Sequence, residues 1–342
     1  MAFIERSTAA LEALRGQLAT PMRCVVVTHQ NPDGDAIGSA LATAGLLRAD
    51  GHQVQVVVPD PVPAFLGFLP GVELVLDHRR SAVQCEGAIA AADVLFIVDL
   101  NRLDRTGGME RAIRDSQAPR ILIDHHQDPE DSFTVVFSDT ASCATCAMVA
   151  DMARALGWEH RVDRSIATCL YTGLVTDTGS FRFRSTDGNT MRTAGWLMDL
   201  GVDIEQVHQA IQDDNTASRL RLLGFLLSHR MTVLEEHRTV LLTLSKEDLS
   251  AHHHQQGDTE GFVNYGMSIR GIRLSAFFME RADGVKLSLR SKGTLHVDRF
   301  LREHFDGGGH VNAAGGRFNG TLDQAVERFR KLLPALLANQ PS

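Results

Sequence analysis

Near the start of the chain, Thr28-His29-Gln30-Asn31-Pro32-Asp33-Gly34-Asp35-Ala36-Ile37-Gly38-Ser39 puts one imidazole and two carboxylates within seven residues. Pro32 and Gly34 mark a turn, and three donors on one rigid turn can face a common point. The plain alternative is a capped loop with Asp35 at a helix N-terminus, and for an isolated Asp-Gly-Asp both readings stand. Three further segments shift the balance. Asp99 closes an apolar run in IVDLNRLDR, Asp124-His125-His126 follows ILI, and Asp177 stands before a glycine turn in LVTDTGSF. An acid at a strand end is often only a helix cap, and paired histidines are often a surface accident. Chance explains one such event well and four poorly. The donors are oxygen and imidazole nitrogen, with no thiolate suitably placed, which favours a borderline-hard ion such as Mn²⁺ over a structural zinc. Six donors exceed the needs of one catalytic ion and fit two ions sharing a carboxylate. Such a pair, about 3.5–4 Å apart, clamps a phosphoryl oxygen and makes hydroxide from water near neutral pH. The chemistry implied is hydrolysis of a phosphate ester or anhydride.

A second group lies far downstream. Leu289-Arg290-Ser291-Lys292-Gly293 ends a strand with two cations, and Asp306-Gly307-Gly308-Gly309-His310 precedes Asn312-Ala313-Ala314-Gly315-Gly316. Three glycines let backbone N–H groups approach an anion, and the small residues after them allow a tight helix start. A flexible glycine loop is the alternative. With Arg290 and His310 nearby, phosphate binding is the expectation.

The elements that must position these groups are legible as short apolar runs alternating with helical stretches. Cys24–Thr28, Val54–Val58, Val94–Val98 and Ile121–Ile123 read as strands, Gly38–Asp50 as a helix, and Asp187–Asn189 as a turn before a helix over Thr190–Leu200. That alternation predicts an α/β fold with a parallel sheet, whose ligands lie beyond the carboxyl ends of the strands. The expected domains are 1–203, a helical connector 204–235, and a smaller α/β domain 236–342 containing VLLTL, LSAFFM and VKLSLRS. A chain of 342 residues suits two domains. The net charge of −8 argues against a general binder of long nucleic acid. From Phe262 onward 12 Lys and Arg face 7 Asp and Glu, a net of +5 that leaves −13 in front. That asymmetry suggests cations held in front and an anionic ligand gripped behind. No apolar run approaches a membrane span, and five scattered cysteines are no disulfide framework, so a cytoplasmic setting is expected. Cys143-Ala144-Thr145-Cys146 has redox or zinc spacing without a second half-site; with Ser142 as a helix cap, both cysteines read as core.

With these residues in view, the sequence resembles the DHH phosphoesterases, named for the triplet found here at Asp124-His125-His126. THQNPDGDAIGS, VDLNRLDR, DHH and TDTGSF match the N-terminal motifs; SLRSKG and GGGHVNAAGGRF look like the DHH-associated C-terminal domain. Length and domain order are similar to the NrnA-type branch, which degrades oligoribonucleotides of two to about five residues. Many of its members also remove the 3′-phosphate of 3′-phosphoadenosine 5′-phosphate (pAp). The resemblance implies one Mn²⁺ on His29, Asp33 and Asp99 and another on Asp35, Asp99, His125 and Asp177, with Asp99 bridging. It places His126 near the scissile phosphate as a charge stabiliser or proton donor, Asp124 behind the histidines, and Arg105 in phosphate contact or structural support. Arg290, Ser291, Gly307, Gly308, Gly309 and His310 would grip the nucleotide's phosphate or backbone. Short RNA and nucleoside bisphosphates are the implied ligands, with no long duplex and no membrane, and a homodimer is the implied assembly.

Other readings share these motifs. A cyclic di-AMP or linear dinucleotide phosphodiesterase has both domains. A RecJ-like exonuclease needs a further oligonucleotide-binding domain, and a family II pyrophosphatase has a different C-terminal domain. A non-catalytic nucleotide-binding module would show damaged ligands, and no expected ligand is missing.

Overall fold

The computed structural model describes residues 7–213, 215–255 and 257–338. The chain forms two compact units, Met1–Asp214 and Asn215–Ser342. In the first, β1 (Arg23–Val27), β2 (Gln53–Val58), β3 (Leu76–Asp77), β4 (Val94–Val98), β5 (Arg120–Asp124) and β6 (Val135–Ser138) form one sheet ordered β3-β2-β1-β4-β5-β6. Every neighbouring pair is parallel. The four strands expected from sequence are β1, β2, β4 and β5. The other two sit at the edges, where a two-residue strand and a half-exposed VVFS carry little pattern.

The central strands read as unbroken apolar runs because both faces of the sheet are covered. Cys24, Val26, Val94, Phe96, Ile121 and Ile123 point to one side, against helices Thr8–Gln17, Gly34–Ala49, Thr145–Ala155 and Arg164–Asp177. Val25, Val27, Leu95, Ile97 and Leu122 point to the other, against helices His78–Ala91 and Glu110–Asp115. The helix Gly34–Ala49 is buried almost all round, so small residues dominate its sequence. It starts a turn earlier than expected, because Asp33 accepts hydrogen bonds from the backbone N–H groups of Asp35 and Ala36. Its neighbour Arg164–Asp177 comes very close: a Cβ on Gly38 would stand 2.5 Å from the Cys169 carbonyl oxygen. That approach carries the end of one helix to the start of the other.

In the second unit β7 (Met231–Leu234), β8 (Thr239–Leu244), β9 (Leu274–Arg281), β10 (Gly284–Ser291), β11 (Gly308–His310) and β12 (Ala313–Phe318) form a mixed sheet ordered β11-β12-β10-β9-β8-β7. Only β8 and β9 run parallel. Leu274, Ala276, Phe278, Leu287 and Leu289 face helices Val297–His304 and Leu322–Ala338. On the opposite face helices Ala217–His229 and Phe262–Met267 cover β8 and β9. The segment expected as a connector is divided: Ile204–His208 packs with the first unit and Ala217–His229 with the second. No helix among the described residues is long and apolar enough to cross a membrane.

Candidate metal centre

Strand order reverses between β1 and β4, and that crevice at the carboxyl edge is where open α/β sheets bind ligands. The segments after β1, β4 and β5 deliver His29 to Asp35, Asp99, and Asp124 to His126 to this edge. Asp177 arrives from outside the sheet. It is the last residue of a helix, just ahead of the expected glycine turn, and a carboxylate there opposes the helix dipole. Asp99 takes a left-handed backbone, φ +60°, which costs a non-glycine residue energy. Both residues hold positions that folding alone disfavours.

Two donor groups form. Ligand atoms of His29, Asp33 and Asp99 lie within 4.8 Å of one another, and so do those of Asp35, His125 and Asp177. Asp99 joins them: Oδ2 is 3.3 Å from His29 Nε2, and Oδ1 is 3.6 Å from His125 Nε2. His125 Nε2 is 3.2 Å from Asp177 Oδ2 and 3.9 Å from Asp35 Oδ2. The far nitrogens of both rings face carbonyls, which only accept. His29 Nδ1 donates to the Gln30 oxygen at 2.8 Å, and His125 Nδ1 to that of Ser142 at 3.2 Å. Each ring is thereby committed to presenting Nε2 to the carboxylates. Asp33 both caps its helix and faces His29, so the plain and the functional readings of the first turn hold together.

Asp124 is fully buried and holds His126, accepting from its backbone N–H at 3.1 Å and its Nδ1 at 2.7 Å. Arg105 is half-buried; its carbonyl accepts from Gln30 N–H, and its charge opposes protonation of His29.

Sequence reasoning missed Thr145. Its hydroxyl donates to Asp99 Oδ1 at 2.9 Å and its backbone N–H to Asp35 Oδ2 at 2.6 Å; the Cys146 N–H donates to Asp35 Oδ1 at 2.9 Å. Asp35 thus caps the helix Thr145–Ala155 from 110 residues away. The cap expected at Ser142 is not used: the N-cap position is Ala144, which has no side-chain donor or acceptor. The available signal was a helix starting in Ala-Thr-Cys without a cap of its own.

The electrostatics fit a cation. Burial, then the Asp99 and Asp177 charges, push the Asp35 carboxyl well above its ordinary range. Burial also pushes Asp99 up, but the His29 hydrogen bond and the charges of His126, His29 and His125 outweigh it and hold Asp99 far below. Burial opposes protonation of His29 and His125, yet bonds to Asp99 and Asp177 raise both above the usual histidine value, His125 strongly. The packed carboxylates favour positive charge on both imidazoles, and cations on the same Nε2 and oxygen atoms would supply that charge instead. The nearby Cys146 thiol is pushed well above its usual value by burial and then by Asp35, so it offers no thiolate.

In the second unit the glycine run is not a loop before a helix. Gly308–His310 is β11, and Ala313–Phe318 continues as its antiparallel partner β12. A Cβ on Gly307 would stand 2.2 Å from the Gly315 oxygen and one on Gly309 2.6 Å from the Ala313 oxygen, so these two glycines serve close strand packing, whereas Gly308 has open space beside it. Register places Arg290, Ala313 and His310 in one row across β10, β12 and β11, hence on one face. Ser288, Gly315 and Gly308 form the next row. Two basic side chains therefore flank a floor of small residues. Ser291 alternates to the opposite face, where its hydroxyl donates to the Leu295 oxygen and accepts from Asn312.

A model of the DHH family N-terminal domain matches residues 23–174, and one of the DHHA1 domain matches residues 249–339. A bifunctional oligoribonuclease and PAP phosphatase, NrnA, of Thermus thermophilus is 34% identical over 305 residues, 89% of this chain and 86% of that protein. A cyclic-di-AMP phosphodiesterase, GdpP, of Geobacillus thermodenitrificans is 24% identical over 96% of this chain, which spans 50% of that protein. The crystal structure of an exopolyphosphatase-related protein from Bacteroides fragilis superposes with a TM-score of 0.93 at 34% identity, covering 97% of each chain.

Proposed function

Because this chain belongs to the DHH family and carries the DHHA1 domain, we propose that it is a phosphoesterase of short RNA. It hydrolyses oligoribonucleotides, linear dinucleotides included, to mononucleotides and removes the 3′-phosphate of pAp. The observation that carries the hydrolytic reading is the pair of His/Asp donor groups joined through Asp99. The substrate class rests on likeness to the Thermus thermophilus NrnA.

His29, Asp33 and Asp99 would hold one divalent cation, and Asp35, Asp99, His125 and Asp177 the other. Bound there, the pair supplies Lewis acidity at the phosphoryl group and lowers the pKa of water toward neutrality. Imidazole and carboxylate donors with no available thiolate support Mn²⁺. The protein's own residues do the rest. The Gln30 and Ser142 carbonyls fix the His29 and His125 tautomers. Asp124 holds the His126 ring through Nδ1, and in the imidazolium form of that ring Nε2–H would donate to a phosphoryl oxygen or protonate the leaving oxygen. Arg105 adds positive charge beside His29. Arg290 and His310, on one face of the second sheet, bind the nucleotide's phosphate.

The test is parallel hydrolysis with Mn²⁺, with and without chelator, of pAp, 5′-phosphorylated RNA of two to about ten nucleotides, pGpG, cyclic di-AMP and pyrophosphate. Chelator-sensitive cleavage of dimers to tetramers together with pAp dephosphorylation is expected. Preference for cyclic di-AMP would move the protein to second-messenger turnover, the activity named for the GdpP relative. Intact substrates throughout would overturn the enzymatic reading.

A further inference from the structure

The segment that follows Asp177 is built unlike an ordinary connection. Gly179, Ser180 and Phe181 all have positive φ, at +57°, +58° and +63°. The backbone N–H groups of Arg182 and Phe183 both donate to the carbonyl of Thr178, each at 3.0 Å, and Thr178 directly follows Asp177. Phe181 turns inward, with its ring 5.9 Å from that of Tyr171. Phe183 turns outward and is 45% exposed. Of the large apolar side chains left exposed among the described residues, two are aromatic, Phe183 and Tyr265, and only Phe183 belongs to the unit holding the metal centre.

Single exposed apolar residues are ordinary and need no function. Phe183 differs in how it is held and in what surrounds it. A Cβ on Gly179 would stand 2.5 to 2.9 Å from Cζ, Cε1 and Cε2, so the tip of the ring rests on the Gly179 backbone. Root and tip are both fixed within two residues of Asp177, and the ring stays open to solvent. Its neighbours Arg182 and Arg184 are exposed, and neither forms an ion pair with a described residue. Arg182 Nε is anchored on the Gly179 carbonyl at 2.7 Å. An aromatic ring held on this turn, with an exposed arginine on each side of it in the chain, matches a nucleotide in both its parts, base and phosphate.

We propose that Phe183 is a nucleobase platform beside the metal centre: a base of the bound short RNA stacks on its ring, and Arg182 and Arg184 meet the adjoining phosphates. The proposal rests on the short-RNA reading above. Every base has a π-face, so the platform discriminates weakly among bases and favours the larger purines. It places recognition of the base on the turn that directly follows a metal ligand.

The experiment measures kcat and KM with Mn²⁺ for a 5′-phosphorylated RNA dinucleotide and its abasic analogue, in wild type, Phe183→Ala, Phe183→Leu and Phe183→Trp. In Phe183→Ala the ratio of kcat/KM between base-bearing and abasic substrate is expected to fall about tenfold, mainly through KM. Phe183→Trp keeps the wild-type ratio, and Phe183→Leu, apolar without a π-face, does not. An unchanged ratio in Phe183→Ala, or full retention in Phe183→Leu, overturns the platform while short-RNA cleavage stands. No cleavage of the dinucleotide by the wild type overturns the substrate reading and the platform with it.

Discussion

Replacing Thr145 with valine tests whether the bridging carboxylate is positioned by the protein or only by the ions. Valine keeps the volume and the backbone N–H that binds Asp35, and removes only the hydroxyl that donates to Asp99 Oδ1 at 2.9 Å. Thr145 and Asp99 are both buried, so no bulk water replaces the lost donor. A hydrogen bond to a charged group contributes about 1.5–3 kcal/mol, and part of that loss falls on the ion-free fold. Loss of a group that orients a metal ligand costs roughly 10- to 100-fold in affinity, about 1.4–2.7 kcal/mol. Since Asp99 reaches both donor groups, both ions should weaken together. Calorimetric titration of chelator-treated protein with Mn²⁺ reads this directly. Thr145→Ser, which keeps the hydroxyl, should return most of the affinity. If folded Thr145→Val binds both ions within about twofold of wild type, the positioning argument is wrong. If serine is as poor as valine, the methyl group's packing is what matters.

Gly173→Ala would put a Cβ 2.2 Å from Cys146 Sγ and 2.6 Å from Asp35 Oδ1. Overpacking of this kind costs about 1–3 kcal/mol, so both the thermal midpoint and Mn²⁺ affinity should drop, and unchanged affinity would show that Asp35 tolerates displacement. Because the ion-free His29 and His125 have pKa values raised above the usual histidine value by Asp99 and Asp177, a proton and a cation compete for Nε2. Affinity should therefore rise with pH as the rings lose their protons, with net proton release on Mn²⁺ binding read in buffers of differing ionisation enthalpy; a pH-independent affinity with no proton release would contradict this. Arg290→Ala is expected to raise KM for short RNA far more than for a small chromogenic phosphodiester. Equal effects would assign Arg290 to the fold.

The donor residues were legible because strand ends are: an apolar run that stops at an acid is visible locally, as at Val98-Asp99 and Ile123-Asp124. Their grouping required three such ends and the segment around Asp177 to be read together. Thr145 was invisible because its partners lie 46 and 110 residues away, and a threonine beside cysteines advertises other chemistry. The glycine run misled for a related reason. Gly-Gly-Gly-His and Ala-Ala-Gly-Gly have low strand propensity, and they become strands only because β10 supplies a ladder. Ser291 was grouped with Arg290 by adjacency, whereas period-two alternation sends neighbours to opposite faces.

The parallel sheet also settles when an ion can enter. Zinc fingers take their metal early, since one short segment holds most of the ligands and the metal drives the fold. Here His29 follows β1, Asp99 follows β4, and Asp177 ends a helix that comes after all six strands of that sheet in the chain. Parallel neighbours need long crossovers, and the closure of such distant contacts comes late and slowly. No half-formed chain offers two donor groups, so the cations can reward only a finished domain, by mass action on its native state. A newly made chain would fold first and wait, and the arrival of metal, rather than folding, would set the moment at which it becomes active.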